Sequence, residues 1–144
     1  MKNCLNKGFS LIELLITIAI LGILTAISYP TYHHLMRKAY YTEIAQATAP
    51  FKLGVEECYQ ITSTLDDCNS GKNGIPKNIT KKENENSKSL VASLTVSGKG
   101  VITVTPKERD GITSSDIYIL TPTSQNNRLT WSTGGKGIEN GYAK

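Results

Sequence analysis

Residues that carry chemistry are scarce in this sequence, and each shortage removes a class of function. There are 2 histidines, His33 and His34. Neighbours on a helix point about 100° apart, so this pair does not share a metal without further ligands, and no third ligand stands near it in sequence. No nucleophile elbow, no phosphate-cradling glycine loop and no paired carboxylates of a general acid–base site are present. An enzyme is therefore not expected, and neither is a metal or other cofactor. Charge is thin as well. The 16 Lys and Arg against 12 Asp and Glu leave a formal charge of +4, mild beside the dense basic patches that carry nucleic-acid affinity. Cysteine is confined to Cys4, Cys58 and Cys68. At 144 residues the chain fits one domain of ordinary size and not two.

What the sequence does have is a concentration of apolar residues near its start. The 21 residues from Phe9 to Tyr29 contain one charged side chain, Glu13. As a helix they span about 32 Å, enough to cross a hydrocarbon core of about 30 Å. Lys2, Lys7 and the amino terminus precede this run and hold that end on the cytoplasmic side, so the remainder lies outside. A secretory signal has a shorter apolar stretch and a small-residue cleavage site, whereas Tyr-Pro-Thr-Tyr follows here. A buried core helix this apolar on every face needs a larger globule than the remaining residues build. Glu13 is the anomaly, because a carboxylate at the bilayer centre costs about 2.5–3.5 kcal/mol. Two readings stand: a functional acid awaiting a partner, or an acid little more than one turn from Phe9 that reaches the headgroups.

The string Lys7-Gly8-Phe9-Ser10-Leu11-Ile12-Glu13-Leu14, with a basic leader before it and an apolar helix after it, resembles the processing site of type IV pilin precursors. The resemblance implies cleavage between Gly8 and Phe9 by a membrane prepilin peptidase, with methylation of the new amino terminus at Phe9. Gly8 has its own steric reason, since it lets a protease approach the backbone closely. The resemblance also implies a partner for Glu13, the free amine of Phe9 on a neighbouring subunit. Two opposite charges in a dry core must meet or both stay costly. Gly22 and Pro30 stand where similar pilins carry a stretch that unwinds on assembly. That stretch is poorly suited to a helix: Gly22 is about 1 kcal/mol worse than Ala, Ile23, Thr25 and Ile27 are β-branched, and Pro30 has no N–H for Ala26.

Beyond the apolar run the pattern becomes amphipathic. Met36, Tyr40, Ile44, Ala47, Phe51, Val55 and Cys58 fall on one face of a helix that continues to about Tyr59. Pro30 and Pro50 each remove a donor from the backbone ladder, so two bends are expected rather than two breaks. After Ile61 the period changes to two. Ser89–Ser97, Val101–Thr105, Asp116–Thr121 and Arg128–Ser132 read as four antiparallel strands. One sheet face should cover the Met36-to-Val55 stripe, giving an α+β unit. This is the ladle-like pilin fold that the resemblance implies, a long N-terminal helix on a four-stranded antiparallel sheet. Between helix and sheet, Thr62–Lys88 forms a long connection with a tight turn at Gly74-Ile75-Pro76 and a charged, solvated rim over Lys77–Lys88. Asn78-Ile79-Thr80 fits a glycosylation sequon weakly.

The expected organisation is a cleaved leader over 1–8, an apolar membrane and assembly half of the helix over 9–29 and an amphipathic half over 30–60. A connection over 61–88 and a sheet with its C-terminal loop over 89–144 follow, with 30–144 forming one head. Cleavage removes Cys4 and leaves Cys58 and Cys68 as an even pair in an oxidising compartment, which reads as one disulfide. The tail from Thr133 to Lys144 has no cysteine and must be held by Ile138, Tyr142 and backbone bonds.

The leading functional expectation is a structural subunit of a type IV pilus, a surface filament used in adhesion, motility or DNA uptake. Its implied partners are further copies of the chain, the prepilin peptidase, the assembly machinery of the inner membrane and that membrane before assembly. A minor pilin that binds DNA or a host surface, and a pseudopilin of type II secretion, are the alternatives that the same N-terminal half permits.

Overall fold

The computed structural model describes residues 8–143; of the expected leader over 1–8, residues 1–7, with Cys4 and Lys7, lie outside the described residues. The chain divides into two units, one ending at Leu35 and one beginning at Met36.

In the first unit Gly8–Ser10 carry no regular secondary structure, and the chain then enters helix α1, Leu11–Gln46. The apolar part of this helix is long enough and apolar enough to cross a membrane. Its few polar side chains turn inward on the helix itself: the hydroxyl of Thr17 donates to the carbonyl of Leu14, that of Thr25 to Leu21 and that of Thr31 to Ile27. Such back-bonding removes an unpaired donor from a surface that has no water partner in lipid. Pro30 lies inside α1 without ending it.

In the second unit the last turns of α1 are followed by an interruption at Ala47-Thr48 and then by α2, Ala49–Thr62. A bend was expected at Pro50, and the finding is a break in the ladder. The Thr48 N–H bonds one residue short, to Ala45, and Pro50 occupies the first turn of α2, where its missing N–H is no loss. The helix also runs past Tyr59 and ends at Ser63, which adopts a left-handed φ of 56° as the C-cap. The buried stripe is Tyr41, Ile44, Phe51, Val55 and Cys58. Tyr41 therefore replaces Tyr40, which is only half-buried.

The sheet is an antiparallel meander in the order β1-β2-β3-β4, made of Val91–Ser97, Val101–Pro106, Tyr118–Gln125 and Arg128–Gly134. Leu94 and Val96, Ile102 and Val104, and Tyr118 and Leu120 project from its inner face into one core with the helical stripe. The third strand starts two residues later than the sequence suggests and continues through Pro122 to Gln125. Register explains why proline is accepted. Asn126 and Asn127, with φ of 49° and 59°, make a two-residue hairpin that pairs Gln125 with Arg128, so Pro122 and Trp131 fall in a non-hydrogen-bonded pair. The missing N–H of Pro122 faces the β2 side, where pairing has already ended at Ile102–Leu120.

The long connection is more ordered than a solvated rim. It holds a short helix α3, Lys81–Asn84, with a capping box in which Thr80 and Glu83 satisfy each other's backbone N–H groups. These bonds to Thr80 hold the exposed Glu83 carboxyl below its usual range. Ile79 exchanges two backbone hydrogen bonds with Leu94, at 2.8 and 2.9 Å, and the Asn78 side chain accepts from Val96 N–H. The sequon residues thus seal the outer edge of β1. A buried Ile75 rests against Gly54, where an added Cβ would lie 2.9 Å from the Ile75 Cα. A last short helix, α4, spans Lys136–Glu139.

Candidate functional site

Glu13 stands in the first turn of α1, and its Oε2 accepts the backbone N–H of Ser10 at 2.9 Å. This is one half of a capping box, an acid at the third helical position reaching back to the residue before the helix, on the end where the macrodipole favours negative charge. The carboxylate therefore has a partner within its own chain. The spacing Ser10-x-x-Glu13 is the sequence signal for it, masked by the position of Glu13 in an apolar run. Gly8 and Phe9 lie exposed ahead of the helix, and nothing stands within 4 Å of where a Cβ on Gly8 would be.

The helix that follows presents an unusual surface. Every Leu and Ile from Leu11 to Ile27 is at least 52% exposed, as are Phe9, Tyr29 and Tyr32. The hydrophobic effect makes such a surface costly in water over its whole length, so it requires lipid or other apolar helices around it. Gly22 sits in open space on this surface. At the far end of the apolar run Tyr29 and His33 meet edge to face at 4.6 Å, with Tyr32 beside them, the amphipathic ring chemistry of a membrane–water boundary. The structure does not bring His33 and His34 to further metal ligands: among the described residues no group of three or more His, Cys, Asp or Glu gathers in one place.

In the second unit Cys58 and Cys68 are joined as a disulfide, both fully buried. It ties α2 to the start of the connection. The C-terminal segment is fastened differently. The buried Tyr41 hydroxyl lies 3.0 Å from the carbonyls of both Asp116 and Ile117 and donates between them. Its ring meets Tyr118 and Tyr142. Burial, then the charge of Asp116, then Tyr118 push the Tyr41 phenol well above its ordinary pKa, and burial raises that of Tyr118. Asp116, itself 3% exposed, accepts at its carboxylate from the N–H and hydroxyl of Thr113 and from Nδ2 of Asn140. Gly137 N–H donates to the carbonyl of Ile117. Ile138 and Tyr142, the two expected anchors, are partly buried against this assembly, and Tyr41, Asp116 and Asn140 join them without any motif to mark them. A buried acid with several donors is a signal only once the fold is known.

A surface hollow of about 460 Å³ between α2 and the β3–β4 hairpin is lined by Glu56, Tyr59, Gln60, Arg128 and their neighbours. It pairs no base with a nucleophile, and Glu56 is already engaged by the indole N–H of Trp131 at 2.9 Å.

Residues 4–29 match the prokaryotic N-terminal methylation motif, and residues 38–143 match the family described as pilin of bacterial filaments. Among curated proteins, the prepilin peptidase-dependent protein D of Escherichia coli strain K12 is 38% identical over 103 residues, 72% of this chain and 65% of the relative. The type IV pilus subunit protein TapA of Aeromonas hydrophila is 38% identical over 71 residues, 49% of this chain and 50% of the relative. The type IV major fimbrial protein FimA of Dichelobacter nodosus is 36% identical over 64 residues, 44% of this chain and 40% of the relative. The matched stretches thus span between two fifths and two thirds of these relatives' own lengths.

Proposed function

Because this chain belongs to the type IV pilin family, we propose that it is a structural, non-catalytic subunit of a type IV pilus. It is made as a membrane-anchored precursor and matures into a surface filament. The observation that carries the reading is the exposed apolar surface from Phe9 to Tyr32, joined in one chain to the methylation motif. Lipid covers that surface before assembly, and the same surfaces of neighbouring copies cover it afterwards. The reading names a prepilin peptidase that cuts between Gly8 and Phe9, methylation at Phe9, and an assembly machine in the inner membrane as partners.

Glu13 then has two successive roles. In the single chain its carboxylate bonds to Ser10 N–H. Cleavage frees the Phe9 amine, and in the filament a neighbour's amine offers Glu13 a full opposite charge in a dry environment, a stronger partner than a neutral amide. This exchange sets the register of addition. Gly22 to Pro30 unwinds when protein replaces lipid around it, since the bilayer no longer demands that every backbone group pair within the helix.

The experiment that tests the function is to shear fibres from cells and analyse them by mass spectrometry. This chain should be their main component and begin at N-methyl-Phe9. Fibres without it, or with a trace of it, contradict a structural role and favour a minor pilin or a pseudopilin.

A further inference from the structure

The clasp that holds the C-terminal segment includes an Asn-Gly pair. Asn140 is followed by Gly141, whose φ of +72° strains any L side chain, so the turn that ends α4 calls for glycine at this place. That glycine is also the residue that least hinders attack by its own nitrogen on an asparagine side chain. Asn140 is solvent-exposed, yet its Nδ2 reaches the buried Asp116 at 2.7 Å.

We propose that Asn140 is a self-acting modification site whose deamidation opens the clasp. The backbone nitrogen of Gly141 attacks Cγ of Asn140, and a C–N bond forms. The Cγ–Nδ2 bond breaks, and Nδ2 leaves as ammonia with the proton from Gly141 N–H. Water then opens the cyclic imide to an aspartyl or isoaspartyl residue. The closed clasp slows the first step, because Gly141 N–H is bonded to the carbonyl of Ile138 at 2.9 Å and the Asn140 amide is held by Asp116. Each local opening gives the reaction its chance, and the product prevents reclosure. Where a donor met Asp116, a second carboxylate of like charge now faces it at hydrogen-bond range. No disulfide holds the segment in place. Gly137 is then free to leave Tyr41, whose hydroxyl leaves no room for a Cβ at this position. Conversion is irreversible, so the clasp records the age of an extracellular subunit.

The test uses the full chain in detergent micelles, with hydrogen exchange of the Gly137 and Tyr142 amides as the readout, since these bond to the carbonyls of Ile117 and Gly137. Asn140→Asp should speed their exchange about tenfold or more, the loss of a charge-assisted bond. Asn140→Asp combined with Asp116→Asn exchanges the two partners and should restore protection. Wild-type chain aged for weeks in mild alkali should acquire the acid at Asn140 in the tryptic peptide Gly137–Lys144, together with the fast exchange. The proposal is overturned if aged, folded chain keeps its amide while unfolded chain converts. It is equally overturned if Asn140→Asp exchanges like wild type, or if the double variant fails to recover. None of these outcomes depends on filament assembly.

Discussion

Single residues here are held by close approaches that leave little room for change. Gly54 faces the Ile75 Cα and the Gly74 carbonyl oxygen, at 2.9 and 3.0 Å from where a Cβ would be. Both neighbours are backbone, so Gly54→Ala must displace the Gly74-Ile75-Pro76 turn and should destabilise the head by about 1–3 kcal/mol, read as a lower midpoint in thermal unfolding. Tyr41→Phe keeps the ring and removes the hydroxyl, leaving the carbonyl of Asp116 without that donor and the carbonyl of Ile117 with the Gly137 N–H alone; the expected cost is about 1–3 kcal/mol. The raised Tyr41 pKa gives a pH dependence of definite sign. The folded state binds the phenolic proton more tightly than the unfolded state. Its contribution is therefore complete below the ordinary tyrosine pKa of 10.0 and is lost as pH rises above it. Unfolding followed from neutral to strongly alkaline pH should show a decline that Tyr41→Phe reduces.

At the scale of elements, much was legible because periodicity reports burial. The switch from an apolar run to spacings of three and four, and then to alternation, marked the membrane-type helix, the amphipathic helix and all four strands. It failed where one residue overrides the pattern. Pro50 reads as a kink within a helix, but its position at the start of α2 makes it a helix initiator. Pro122 reads as the end of a strand, whereas the hairpin register leaves it an unneeded donor site. Ile79 lies in a charged stretch with no period, and only its pairing with Leu94 reveals it as the seal on β1. The pairing of Cys58 with Cys68 needed only the count of cysteines in the expected compartment. Replacing both by serine opens a loop of separation 10 and should cost about 3 kcal/mol. Proteolysis should then fall first on Thr62–Gly74, and cleavage that stays confined to the termini would show that Ile75 on Gly54 is sufficient to hold the connection.

The whole molecule carries an exposed apolar surface beside an acid that bonds to its own Ser10 N–H, and the proposed filament covers the one and offers the other a charged partner. Gly8→Val should block maturation while leaving membrane insertion intact, since the obstruction is to the peptidase and the apolar run is untouched. Glu13→Ala should be processed normally and yield few filaments. The expectation for Gly8, Phe9 and Glu13 rests on a short motif, while the Ser10 contact and the Tyr41–Asp116–Asn140 clasp arise from geometry that no motif carries. The central claim is that this chain builds a filament around its apolar helices, with Glu13 transferred from its own Ser10 N–H to a neighbour. The most direct measurement is a reconstruction of the purified filament at side-chain resolution. The account expects the Phe9–Tyr32 surfaces packed against one another, the Glu13 carboxylate within salt-bridge distance of a neighbouring Phe9 amine, and Gly22 to Pro30 longer than the roughly 12 Å of eight helical steps. Glu13 still bonded to its own Ser10, with no amine near it and a helical Gly22–Pro30 segment, would contradict it.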